Sequence, residues 1–166
     1  MDSKAYFLTL ADYHRWANAR LIQCLEPVSD SDYRAELGLF FKSIHRTLNH
    51  LLLVDRLWFA RFHGKSLDIE SLGDELVSER SRLARELDRQ AELWREYLEH
   101  LDAEALGKPL DYRNSRGEPH SFMLGHLVAH VFNHGTHHRG QISAAMTRLG
   151  LEAPVLDIPY YLIDVS

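Results

Sequence analysis

The chain has 166 residues, 45% of them hydrophobic and 26% charged, which fits one domain around one core and excludes a disordered segment. Asp and Glu number 24 against 19 Lys and Arg, and this balance of −5 argues against a nucleic-acid partner, which calls for a concentrated basic face. A single cysteine, Cys24, excludes an internal disulfide and any multi-cysteine zinc site.

The opening Met1-Asp2-Ser3-Lys4-Ala5-Tyr6 lacks the basic start and apolar run of a signal peptide, so a cytoplasmic location is expected. A first helix is predicted from Ser3, as N-cap, to Leu25, with Leu10, His14, Ala17, Leu21 and Cys24 on one face. Cys24 reads there as a small structural residue. Pro27 stops this helix, and Ser29-Asp30-Ser31-Asp32 is loop chemistry. A second helix runs from Ser43 to His63 and ends at Gly64. It is apolar around much of its circumference, which predicts burial both in its own bundle and against a second subunit, hence a homodimer.

A third helix is predicted over 71–101, with Leu83, Leu87, Ala91, Trp94, Leu98 and Leu101 forming the seam of a bundle helix. Ten acids and five arginines between Asp74 and Glu104 read as its solvated faces. Residues 107–121 form an irregular crossover, in which Asn114-Ser115-Arg116-Gly117 is a turn signal able to close a short hairpin between Leu110–Tyr112 and Pro119–Ser121. A fourth helix follows from Ser121 to Leu149, and the tail from Leu151 is too short for another long one. The stretch 119–138 has no Asp, Glu, Lys or Arg, yet its six histidines make it unsuited to lipid, so no membrane partner is expected. The fold class is therefore all-α, a single-domain four-helix bundle over 1–166.

The chemistry concentrates in the fourth helix. His126, His130, His134 and His138 recur every four residues and form a ladder down one face. Any neighbouring pair can chelate one ion, because such residues stand about 5–6 Å apart at Cβ. Two imidazoles leave a site incomplete, and the candidates for a third ligand are His14, His45, His50 and Asp55; spacing alone does not choose among them. Asp55 lies on an apolar stripe where a carboxylate needs a partner. No His is followed by Glu, and no Glu or Asp by His three residues on, so the zincin and di-iron bundle patterns are absent.

The run His130-Val-Phe-Asn-His134-Gly-Thr-His137-His138-Arg139-Gly140-Gln141 closely resembles the signature of the DinB/YfiT-like family. Thr47-Leu48-Asn49-His50 with Asp55-Arg56-Leu57-Trp58, Tyr13-Trp16-Ala17-Asn18 and the closing Asp157-Ile158-Pro159-Tyr160-Tyr161 extend the resemblance over nearly the whole chain. It implies an up-down-down-up four-helix bundle that often dimerises. It also implies a divalent metal held by one histidine of the second helix and two, four apart, of the last. Carried over by position these are His50, His134 and His138, and His130 and His137 are then not ligands.

Three neutral imidazoles leave a divalent ion its full charge and an open position, the arrangement of a catalytic rather than a structural site. Zinc or nickel is the first expectation, with iron also compatible. Relatives in the superfamily include metal-dependent thiol transferases. The resemblance thus implies activation of a thiol or water for attack on a small molecule, a transferase or hydrolase, possession of a metal without catalysis being the alternative. Arg139 and Gln141 are candidates for binding an anionic substrate or orienting the helix end.

Overall fold

The computed structural model describes residues 2–166, which form six helices, one 3-10 turn and a two-stranded sheet. The first helix, α1 (Ser3–Leu25), is capped one residue earlier than expected. Asp2 is the N-cap, its carboxylate accepting from the Ala5 amide at 2.7 Å, and Ser3 lies inside the helix. The stretch read as loop holds a short helix, α2 (Asp30–Arg34), because the Ser29 hydroxyl caps the Asp32 amide and Arg34 reaches back to Asp30. Helix α3 (Ile44–Phe62) starts after Ser43, whose hydroxyl accepts from the Arg46 amide.

Helix α4 spans Arg80–His100, so its predicted start at Ser71 is nine residues too early. The reason lies in where the backbone of 70–79 is bonded. Asp74 accepts from the Glu70 and Ser71 amides, and the Asn49 side chain takes both the amide and the carbonyl of Val77. Those groups are committed to side chains, and a helix begins only at the Glu79 cap. The segment is thereby laid across α3 beside His50.

After a 3-10 turn (Ala103–Gly107), β1 (Pro109–Arg113) pairs antiparallel with β2 (Pro119–Met123), Tyr112 facing His120. The hairpin is present where the turn signal placed it; Asn114 accepts from the Arg116 and Glu118 amides, and Gly117 takes the left-handed conformation, φ 79°. Its second strand uses residues assigned from sequence to the helix start, so α5 spans Leu124–Arg148. The fold is mostly helical with a small sheet, rather than purely α. The tail carries a short α6 (Ile158–Asp164) against Tyr13 and Trp16 of α1.

The four long helices pack in a ring. Helix α4 runs antiparallel to α1, with Lys4 on the Glu99 carbonyl at one end and Arg15 on Asp88 further along. Helix α3 runs parallel to α4, Arg56 meeting Glu86 and Phe59 meeting Trp94. Helix α5 is antiparallel to α3 and parallel to α1. Within the chain, the apolar breadth of α3 is met by buried faces on α2, α4, α5 and the 70–79 segment.

Two large apolar clusters fill the interior, with a small third of Tyr13, Ala17 and Tyr161 under the tail. Of the large pair, one holds Leu53, Trp58, Phe62, Trp94, Val128 and Phe132, the other Leu21, Ile44, Leu52, Leu87, Ile142 and Met146. Cys24 packs at the edge of the second and forms no disulfide. Between the two large clusters α1 and α5 bury several polar residues, His14 and Asn18 on one and His138 and Arg139 on the other. Burying such groups is costly unless each finds a partner, so this mid-height layer is where function is to be sought.

Candidate metal centre

His50 projects from the middle of α3, and His134 and His138 project from successive turns of α5. Because the two helices are antiparallel neighbours, the three rings converge. Nε2 of His50 and Nε2 of His138 each stand 3.1 Å from Nε2 of His134, and the three ligand atoms lie within 4.8 Å of one another. Two nitrogens bound to one tetrahedral ion at about 2.0–2.1 Å are roughly 3.3 Å apart, so the spacing fits a shared cation.

The far side of each ring decides which nitrogen can serve. His50 Nδ1 is 2.8 Å from the Leu72 carbonyl, which can only accept, so Nδ1 carries the proton and donates. His138 Nδ1 donates likewise to Gln141 Oε1 at 2.8 Å, and the Gln141 amide nitrogen meets His137 Nε2. Both rings therefore turn an Nε2 lone pair to the centre. This use of the outer nitrogen to fix the inner one is the habit of metal-bound histidine. His134 Nδ1 is buried without a partner.

All three rings resist protonation. Burial, reinforced by His138, His50, His130 and His137, pushes His134 down to about 3. Burial pushes His138 down to about 4 against the opposing bond to Gln141. Burial also lowers His50, against the Leu72 carbonyl and Asp55. Neutral imidazoles are the form that binds a cation. Phe41 stacks on His50 at 3.8 Å between ring centres and tilts toward His138 at 5.7 Å, shielding this side of the cluster.

The remaining candidates lie elsewhere. His126, His130 and His137 are exposed; His130 is one turn above His134 with its ring 5.2 Å from that of Trp58, and partial burial of that ring and Arg61 hold it below its ordinary value. His45 meets Glu75 at 3.2 Å. His14 and Asp55 pair with each other, Nε2 to Oδ2 at 3.1 Å, both 1% exposed. Arg139 is as deeply buried, and it also lines a cavity between α1, α5 and the tail. It donates to His14 Nδ1, Asn18 Oδ1 and Thr136, while Gln141 orients His138. Gly135 makes that network possible, since a Cβ there would stand 2.6 Å from His14 Cε1. The roles of Phe41 and Gly135 were not read from sequence; a glycine one residue after a candidate ligand, in mid-helix, was the available signal.

A concavity of about 810 Å³ lies between α1, α5 and the tail, and neither it nor four further clefts are lined by His50, His134 or His138. Among the described residues no helix is long and apolar enough to cross a membrane.

Fold and site together define a helical protein with a three-histidine cluster between two of its long helices. The chain belongs to the DinB family, whose profile matches residues 1–164. It is 31% identical over 159 residues to protein DinB of Bacillus subtilis (strain 168), a match covering 92% of this chain and 91% of that one. A DinB-like protein from Bacillus cereus ATCC 10987 has the same fold, with a TM-score of 0.67 at 18% identity over 90% of this chain and 94% of that one.

Proposed function

We propose that the chain is an up-down-down-up four-helix bundle in which His50, His134 and His138 hold one divalent ion, zinc or nickel first and iron also compatible, for metal-dependent chemistry on a small molecule. The observation that carries this reading is the convergence of Nε2 lone pairs whose outer nitrogens are already committed to Leu72 and Gln141. Such an ion, when bound, supplies a Lewis acid that favours thiolate or hydroxide over thiol or water near neutral pH. The protein's part is to keep the three rings neutral, to fix the tautomers of His50 and His138, and to shield one side of the site from water with Phe41. No carboxylate joins the cluster, which leaves the cation its charge and room for a nucleophile. The reaction class is thiol transfer or hydrolysis, and a low-molecular-weight thiol is the expected co-substrate.

A second reading, a bundle clamped by a non-catalytic ion, is favoured by one observation: Phe41 stacks directly on His50 and covers that side of the cluster. Exposed Tyr160, Leu162 and Ile163 on α6 support a homodimer, and the acidic balance supports a protein without a nucleic-acid partner; a cytoplasmic location without a membrane partner completes the reading. The test is elemental analysis of untagged protein with turnover assays on thiols, epoxides and esters. One ion per chain, lost in His138→Ala, together with metal-dependent turnover supports the enzyme. An ion without turnover selects the clamp, and absence of stoichiometric metal removes both.

A further inference from the structure

Seven arginines are wholly or partly buried, and six of them donate hydrogen bonds: Arg15, Arg20, Arg56, Arg80, Arg95 and Arg139. Arg61, near the end of α3, is the exception among the described residues. Its guanidinium makes no protein hydrogen bond and has no carboxylate within 4.0 Å. It lies instead over two aromatic rings, with Cζ 4.6 Å from the centre of Trp58 and 4.9 Å from that of Tyr112 on β1. Aromatic faces attract the charge, by roughly 0.5–1 kcal/mol at a partly exposed site, and use none of its five N–H groups. Burial without an anion disfavours the charge, so the position is one where an incoming anion gains more than it would at a solvated surface.

The guanidinium opens on a cleft of about 490 Å³ between Gly64–Ile69 and Asp111–Ser115. The cleft also carries Lys65 and Arg113 against Asp68 and Asp111, and Arg113 is already committed to the Gly117 carbonyl. From Arg61 a line of ring contacts leads to the three-histidine cluster: Trp58 to His130 at 5.2 Å, and His130 to His134 at 5.8 Å. A molecule three or four extended residues long, about 10–14 Å, is of the size to follow that line.

We propose that this cleft is an anion subsite, in which Arg61 on its floor of Trp58 and Tyr112 binds the carboxylate of the small molecule whose reactive end meets His50, His134 and His138. The bridging role rests on the functional reading above; the subsite does not. A planar carboxylate suits the in-plane fork of a guanidinium whose faces lie on aromatic rings, and the arrangement selects acidic substrates over neutral analogues of equal length.

The subsite is tested first on metal-free protein. Glutarate and inorganic phosphate are titrated at constant ionic strength while the Trp58 indole N–H, assigned from its loss in Trp58→Phe, is followed by NMR. Glutarate is expected to move that signal to saturation and phosphate to bind more weakly. Arg61→Lys is expected to bind glutarate about tenfold more weakly, and Arg61→Met, which keeps the apolar stem, to abolish the shift. A flat titration of the wild type, or one unchanged in Arg61→Met, overturns the proposal, and tighter phosphate binding overturns the carboxylate assignment. The bridge is tested on zinc-loaded protein with mercaptopropionyl-glycyl-glycine and its terminal amide. The acid is expected to bind about 10–100-fold more tightly in the wild type and equally in Arg61→Met. Equal binding in the wild type overturns the bridge. Glutarate binding in a protein that takes up no zinc overturns the metal reading and the bridge together, while the subsite stands on its own titration.

Discussion

Helix α5 carries buried histidine chemistry on two flanks, and the flanks differ in what happens to the lone pairs. On one side His14 donates from Nε2 to Asp55 and accepts at Nδ1 from Arg139, so both ring nitrogens are consumed by the protein. On the other side His50 and His138 spend only their outer nitrogens and turn inner lone pairs on each other and on His134. A carboxylate and a guanidinium close the first arrangement; the second could hold a cation. The difference teaches that burial and count do not make a histidine a ligand. What matters is whether donors or lone pairs face the ring's free nitrogen.

The sharpest way to break the comparison is to open the closed flank. Asp55 is the carboxylate that balances buried Arg139 through His14, although its Oδ1 and the Arg139 Nε have no partner of their own. Asp55→Ala leaves a cation in the core uncompensated and is expected to cost about 3–5 kcal/mol in a urea denaturation. Asp55→Asn keeps the shape and should cost less. Next in size is the effect of closing the open flank. Zinc at a hundredfold excess over its Kd should raise stability by about 2.7 kcal/mol in the wild type. The gain should vanish in His134→Gln/His138→Gln, whereas Asp55→Asn should retain it. A gain surviving in the histidine double variant would place the ion elsewhere.

Acid provides the third contrast. Folded His134 and His138 titrate at about 3 and about 4, and the unfolded rings near the ordinary value of about 6.5. Between those limits the unfolded chain binds more protons, so their contribution is complete above pH 6.5 and is lost as pH falls. The metal-free protein should weaken by up to about 1.4 kcal/mol per pH unit for each ring across that window. Replacing both rings by Gln should flatten the slope between pH 6 and pH 4 in a stability profile, and an unchanged slope would assign the acid sensitivity to other groups.

Much of this contrast was legible in the sequence on one helix and little of it between helices. The four-residue recurrence placed His134 and His138 on one face of α5, and family resemblance supplied His50, which the structure brings to them. Periodicity could not tell His14 and Asp55 from possible ligands, because their pairing depends on the relative rotation of α1 and α3. The same limit hid the burial of Arg139 between α1 and α5, since its place after His138 leaves substrate binding and orientation of the helix end equally open. Helix α4 was read too long because the competitor for its first turns is Asn49, whose side chain bonds Val77 from 28 residues away. At the hairpin only Ser121–Met123 differ, helical by period and strand in the structure, because their pairing to Pro109–Asp111 leaves no mark in a 3.6-residue period.

Gln141 offers the finest distinction, since it acts on the open flank without touching the centre. Its Oε1 accepts from His138 Nδ1 and its amide nitrogen faces His137, so the side chain selects the His138 tautomer that turns Nε2 inward. Gln141→Ala removes that selection and leaves the three rings in place. Loss of such an outer partner typically lowers metal affinity 10–100-fold, and about tenfold is expected here because Gln141 is partly solvated and water can take its place. Competition with a chromogenic chelator measures the change. Gln141→Glu should restore affinity or exceed the wild type, since a carboxylate accepts the same proton more strongly and adds negative charge near the cation. A purely structural glutamine would instead lose folding stability in both variants with zinc affinity unmoved, and it would not separate Ala from Glu.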